Sequence, residues 1–167
     1  EAASGRILAL VGYDQSDPAG NPCLDPHFPA ASIFKIVTAG AAMEHCNLSS
    51  RSTLTYNGAK HTLYKSQLKD INNRYTHKTT LAASFAQSVN PVFGKLGALR
   101  LGRQILESYA EAFGFNRQIA FEIPLPPSHL EIDDEPYHWP EIASGFNQKT
   151  TISPVHGALI ASAVINN

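Results

Sequence analysis

Charge is scarce in this sequence. Of its 167 residues, 13 are Lys or Arg and 14 are Asp or Glu, a charged share of 16% where soluble domains usually carry ~25%. With a formal net charge of −1 there is no surplus of cations to neutralise phosphates, which argues against a nucleic-acid partner. Long apolar runs are missing too. The longest candidates, residues 7–11 and 158–165, fall well short of the roughly 18 residues that span a bilayer. No basic-then-apolar signal opens the chain, which starts at Glu1, so any targeting segment or membrane anchor is expected outside it. Cysteine is limited to Cys23 and Cys46, enough for one disulfide but too few to establish it. The seven histidines, His27, His45, His61, His77, His129, His138 and His156, show no metal-ligand spacing. Asp133-Asp134-Glu135 lacks the spacing of a calcium loop and reads as solvated. No metal or organic cofactor is implied. What is present is a hydrophobic share of 43% with 9% aromatics, which excludes disorder, a collagen-like repeat and a disulfide scaffold. Surface scaling for 18.1 kDa gives about 8,000 Å² folded against roughly 26,000 Å² unfolded, room for one core.

Residues 5–12 are short, apolar and bounded by Gly5 and Gly12, a pattern that predicts a buried strand. Residues 14–29 are rich in Asp, Pro, Gly and Asn and read as loop. Pro29-Ala30-Ala31-Ser32 opens a helix towards His45, apolar on almost every side and therefore central. Residues 48–78 turn polar without periodicity and read as loops and short irregular pieces. A helix is expected over 80–87, N-capped by Thr79 or Thr80, and another over 92–99 behind Pro91. An amphipathic helix follows over 102–113, stopped by Gly114. Residues 119–140 read as a long ordered loop anchored by Ile123, Leu125, Leu130, Ile132 and Trp139. Ser153 and Pro154 start a final helix over 155–165. The reading is one α+β domain over residues 1–167, rich in helix and short of strands.

Two motifs can carry chemistry. In Ser32-Ile33-Phe34-Lys35 a helix places the serine and lysine on one face. The apolar neighbours Ile33, Phe34 and Ile36 desolvate the amine, and the helix N-terminus disfavours its charge, so Lys35 is pushed towards a neutral base. Exposed backbone N–H groups of the first turn would hold an oxyanion. By chance alone such a tetrad arises about once in a chain of this size. A second copy does occur, Ser66-Gln67-Leu68-Lys69, in polar sequence that nothing desolvates and that reads as surface. The other motif is Ser88-Val89-Asn90, at a junction between two helices. It can present a hydroxyl and a carboxamide to a cleft, or serve simply as a cap before Pro91.

Together these motifs resemble the set of the penicillin-binding protein transpeptidases and serine β-lactamases, Ser-x-x-Lys, Ser-x-Asn and Lys-Thr-Gly. Residues 5–12 are similar to the family's first core strand and 29–44 to its nucleophile helix, while 84–96 resemble the stretch around its second motif. Residues 109–124, with Phe113-Gly114-Phe115 and Ile123-Pro124, and 144–167, with Gly145 and Ile152-Ser153-Pro154, are more similar to cell-wall transpeptidases than to β-lactamases. The resemblance implies a helix-rich part of the transpeptidase fold, with most of the core sheet outside these residues. It implies a D,D-transpeptidase of peptidoglycan cross-linking, on the extracytoplasmic side and tethered through a segment not in this chain. Its partners would be peptidoglycan stem peptides and β-lactam antibiotics. Ser32 would be the nucleophile, Lys35 its base, Ser88 a proton relay and Asn90 the residue that orients the substrate amide. A D,D-carboxypeptidase or β-lactamase of the same fold, or a non-catalytic β-lactam or muropeptide sensor, are the alternatives. One departure stands out, because Lys-Thr-Gly is absent. Lys149-Thr150-Thr151 and Lys78-Thr79-Thr80 lack the glycine that lets substrate backbone approach and read as loop and cap. The third motif is expected beyond Asn167, so these residues alone would be poorly active and 5–12 would lack strand neighbours.

Overall fold

Small side chains decide where the helices meet. The computed structural model describes residues 1–166. Helix α1 (Phe34–His45) lies at the centre and buries Phe34, Lys35, Val37, Thr38, Ala41 and Ala42, the two alanines leaving room for close neighbours. Ahead of it run the two-residue strand β1 (Phe28–Pro29) and a single 3-10 turn at Ala31–Ile33. Helix α2 (Leu81–Ala86) is N-capped by Thr80, whose hydroxyl accepts from the Ala83 N–H at 3.1 Å, as expected of a threonine there. Helix α3 (Asn90–Leu96) starts with Pro91 in its first turn and is buried at every position. It runs into a π-helical turn at Gly97–Leu101 and then, at Gly102, into α4 (Gly102–Ala112). A Cβ at Gly97 would lie 2.4 Å from Ala143 Cβ and 2.9 Å from the Trp139 carbonyl oxygen. Only glycine lets α5 (His138–Ser144) close on this turn.

Helix α5 departs from the expected loop over 119–140. Its Pro140 is the third helical residue, where the missing N–H has no intrahelical acceptor and costs nothing. The rest of that segment is ordered by Leu125, Leu130 and Ile132, all under a tenth exposed, whereas Ile123 stays outside. A second departure lies in the polar stretch 48–78, where β2 (Thr53–Tyr56) pairs antiparallel with β3 (His77–Thr80), Thr53 facing Thr80 and Tyr56 facing His77. Leu54 and Tyr56 point inward, the alternation a half-buried strand requires. Lys78-Thr79 is therefore strand, with Thr80 as cap. Thr151 likewise begins β4 (Thr151–Ile152), antiparallel to β1, so Lys149-Thr150-Thr151 ends in a strand rather than a loop. Cys23 and Cys46 are both free and half-buried.

The expected strand over 5–12 does not form. Ile7 is 41%, Leu8 71% and Val11 89% exposed, because a strand needs a ladder partner and none lies beside these residues among those described. This segment contributes to a total surface of 9631 Å², above the ~8,000 Å² that size alone predicts. With part of α6 (Pro154–Ile165) it lines an apolar cavity of about 490 Å³ bounded by Ile7, Leu8, Val155 and Leu159. No helix among the described residues is long and apolar enough to cross a membrane.

Helix α6 is capped as expected, the Ser153 hydroxyl accepting from the His156 N–H at 3.1 Å. His156 is 1% exposed and ties three segments together. Its Nε2 donates to the Phe113 carbonyl at 2.7 Å, which leaves Nδ1 to accept from Ser128 Oγ at 2.6 Å. Both bonds fit the neutral ring, and burial lowers its pKa from the ordinary 6.5. Since the unfolded chain then binds the extra proton first, the stabilisation is complete above about pH 6.5 and is lost as pH falls from there through the lower folded value. The urea midpoint should therefore fall on acidification from pH 7.5 to 5.5, and fall less in His156→Gln. Equal slopes for the two proteins would refute this role.

Candidate active site

The first turn of α1 and two helix C-termini build the site. Ser32 sits in the 3-10 turn, exposed, and Lys35 follows three residues later, 1% exposed. One turn of helix brings them together, and Lys35 Nζ donates to Ser32 Oγ at 2.9 Å. The backbone N–H groups of Ile33 and Phe34 are engaged within the turn, by Ala30 O and by Ala31 O and Ser32 O. These two are engaged, whereas the Ser32 N–H makes no backbone hydrogen bond among the described residues.

Helix α2 ends just before Ser88, which occupies the left-handed region with φ +51°. The Val89 N–H bonds the Ser84 carbonyl at 2.9 Å and the Ser88 N–H the Phe85 carbonyl at 3.0 Å. This is a Schellman ending with serine in the place glycine usually takes. It turns the hydroxyl towards α1, where Ser88 Oγ and Ser32 Oγ share a hydrogen bond of 2.8 Å. Two residues on, Asn90 opens α3 and is 7% exposed, with Oδ1 accepting from Lys35 Nζ at 2.8 Å. The four residues singled out by the sequence thus form one hydrogen-bonded chain, from Ser88 through Ser32 and Lys35 to Asn90.

A fifth group had no signature in the sequence. Helix α5 also ends in a Schellman motif, here with Gly145 at φ +66°, the Phe146 N–H bonding Glu141 O and the Gly145 N–H bonding Ile142 O. The carbonyls of Ala143 and Ser144 are left over. Thr38 Oγ1 donates to the first at 2.8 Å and Lys35 Nζ to the second at 2.5 Å, so side chains of α1 satisfy the end of α5. A Cβ at Gly145 would stand 1.8 Å from the Ala31 carbonyl oxygen, and Ala31 itself has φ +45°. The turn that carries Ser32 is thus pressed against the residue after the lysine's carbonyl partner.

The chemistry follows from valence. Burial lowers the Lys35 pKa from 10.5 to about 8, so roughly one amine in ten is neutral at pH 7. A neutral amine keeps two hydrogens, and Asn90 Oδ1 and Ser144 O can only accept them. The lone pair then faces Ser32 Oγ, the geometry of a base poised on a hydroxyl. The Phe93 ring, 5.7 Å from Nζ, closes the remaining side. The other Ser-x-x-Lys copy stays at the surface, with Ser66 and Lys69 exposed. The 490 Å³ cavity behind α6 is apolar and holds none of these groups.

The family model of the penicillin-binding protein transpeptidase domain matches residues 1–167. Among solved structures, the chain is similar to penicillin-binding protein A from M. tuberculosis in its penicillin G acyl-enzyme complex. The TM-score is 0.78 at 22% identity, over 99% of this chain and 44% of that one. It is also similar to Pseudomonas aeruginosa PBP2, with a TM-score of 0.72 at 18% identity over 92% of this chain and 37% of that one. A D,D-transpeptidase domain of a peptidoglycan glycosyltransferase from Eggerthella lenta gives a TM-score of 0.65 at 24% identity, over 91% and 40% respectively. No curated protein sequence matches. The chain spans roughly two fifths of the length of these structures, and at such identities the likeness speaks for the fold. Carried by the match over its whole length, the chain belongs to the family of penicillin-binding protein transpeptidase domains.

Proposed function

We propose that this chain carries the nucleophile half of a serine D,D-transpeptidase that cross-links peptidoglycan stem peptides outside the cytoplasmic membrane. The observation that supports it most is that Lys35 Nζ, bound to the acceptors Asn90 Oδ1 and Ser144 O, stands 2.9 Å from Ser32 Oγ, so that in its neutral form the amine can take a proton only from Ser32. In this reading Ser32 Oγ attacks the carbonyl of the penultimate D-alanine while Lys35 takes its proton. Ser88, hydrogen-bonded to Ser32, passes a proton to the departing D-alanine amine, and Asn90 orients the substrate amide. An amine from a second stem peptide then resolves the acyl-enzyme, and β-lactams trap Ser32 by imitating the donor. The protein would work on the extracytoplasmic face, held there by a segment outside these residues.

Hydrolysis by a β-lactamase of the same fold is the nearest competitor, and it calls for a carboxylate base beside the ester. None is among the hydrogen-bond partners of Ser32, Lys35 and Asn90 in the described residues, which favours the transpeptidase. The test is peptide mapping of the full-length protein after reaction with a fluorescent penicillin. The adduct is expected on the peptide containing Ser32, none on that containing Ser66, and none anywhere in Ser32→Ala. Label that survives Ser32→Ala would overturn the assignment.

A further inference from the structure

Ser88 holds a left-handed backbone conformation (φ +51°), and such a residue persists only when its surroundings over-determine it. The flanking residues on both sides are gripped by one loop. On the N-terminal side, Gln87 receives the Lys60 ammonium on its Oε1 and the His61 Nε2–H on its carbonyl at 3.1 Å. On the C-terminal side, the Asn90 N–H donates to the Lys60 carbonyl at 2.7 Å. The Ser88-to-Asn90 motif is therefore clamped by two consecutive residues far away in sequence.

That loop has a hub of its own. Gln67, 5% exposed, uses all four valences of its amide. Its Nε2 donates to Asn57 O at 2.9 Å and to Ala59 O at 3.1 Å. Its Oε1 accepts from Thr62 Oγ1 at 3.0 Å and from the Tyr64 N–H at 2.9 Å. The four partners bracket Lys60 and His61 on both sides, so the amide fixes the loop that presents them. Gln67 belongs to the second Ser-x-x-Lys copy, whose serine and lysine do nothing visible, and it is the member of that tetrad turned inward.

We propose that Gln67 is a positioning residue for the acyl-transfer site, acting through the loop it folds on the backbone of Ser88 and Asn90. The chemical effect rests on the function proposed above, whereas the structural coupling does not. A looser loop releases its grip on Gln87 and lets Asn90 Oδ1 drift from Lys35. The amine then loses one of the two acceptors that aim its lone pair.

The experiment uses the full-length protein with two variants. Gln67→Met keeps the side-chain length and removes every polar contact. His61→Ala removes one exposed grip and leaves the loop's own hub intact. Two quantities are read, the acylation rate constant separated from the non-covalent affinity for a fluorescent penicillin, and hydrogen exchange of the Asn90 amide. For Gln67→Met the expected result is an acylation rate constant at least tenfold lower, affinity within about twofold, and an Asn90 amide that exchanges at least tenfold faster. His61→Ala should show the same pattern at about threefold. If Gln67→Met does not fold, His61→Ala decides. An unchanged acylation rate constant or unchanged Asn90 protection in a folded variant overturns the proposal. If the wild-type protein takes no penicillin label, the proposed function fails, and the Asn90 exchange still decides whether Gln67 governs this backbone.

Discussion

Lys35→Met should slow acylation of Ser32 by about 10² to 10⁴, the range typical of a lost general base, and should erase its pH dependence. In the wild-type protein the rate is expected to climb about tenfold per pH unit while the amine is mostly protonated, and to flatten above its pKa of about 8. Methionine keeps the length and apolar contacts of the lysine stem, so the aromatic face of Phe93 remains covered. The same burial links the lysine to stability. Between about 8 and 10.5 the unfolded chain holds a proton that the folded chain has released, so stability rises with pH across that window by roughly 3 kcal/mol. Below about 8 the contribution is flat at its lowest. Denaturant midpoints at several pH values from 7 to 10 check this, with the wild-type protein gaining on Lys35→Met as the pH rises. A rate profile unchanged by the substitution would remove Lys35 from the chemistry, and parallel stability curves would mean that its amine is not desolvated.

Ser88→Gly should gain stability and lose function together. A non-glycine residue in the left-handed region costs about 1–2 kcal/mol, and glycine gives back about 0.5–1 kcal/mol through its freer unfolded state. The net gain is about 0.5–1 kcal/mol, or a rise in Tm of about 1–3 °C for a chain of this length. The hydrogen bond lost to Ser32 lies at an exposed residue and offsets little of this. Acylation should nevertheless drop by about 10² or more if the Ser88 hydroxyl relays a proton as proposed. Ser88→Ala is the control, with the same catalytic loss and no relief of the backbone. Matching melting temperatures for the glycine and alanine variants would show that the residue carries no strain. The neighbouring Schellman ending of α5, which does have glycine at the corresponding place, is the relaxed version of the same turn.

How much of this was legible in the sequence depends on how local each feature is. Ser32 and Lys35 are separated by one helical turn, so spacing alone puts them together. Ser88 and Asn90 were readable as a motif, but the meeting of Ser88 with Ser32 and of Asn90 with Lys35 is a tertiary fact that only the resemblance anticipated. The Ser144 carbonyl was invisible, since any residue can supply a backbone oxygen and Pro140 disguised the helix that delivers it. The Lys60 carbonyl on Asn90 was hidden for the same reason. Strands β2 and β3 escaped because the alternation in β2 covers only four residues and the paired residues lie 21 to 27 positions apart, a pairing that no local window sees. For residues 5–12 the apolar pattern reported what the segment is able to bury, and carried nothing about whether a ladder partner is at hand.

The contact between Ala31 and Gly145 has a consequence for how the site can vary. Glycine is the one residue that fits at 145, because any Cβ would overlap the carbonyl of Ala31, the residue before Ser32. That carbonyl cannot retreat without moving Ser32, and residue 145 cannot retreat without withdrawing the Ser144 oxygen from Lys35. Two stretches more than a hundred positions apart in the chain are thereby fixed to one another. A change in the shape of the turn that carries Ser32 would have to be answered at the end of α5, and neither segment could be replaced in this chain on its own.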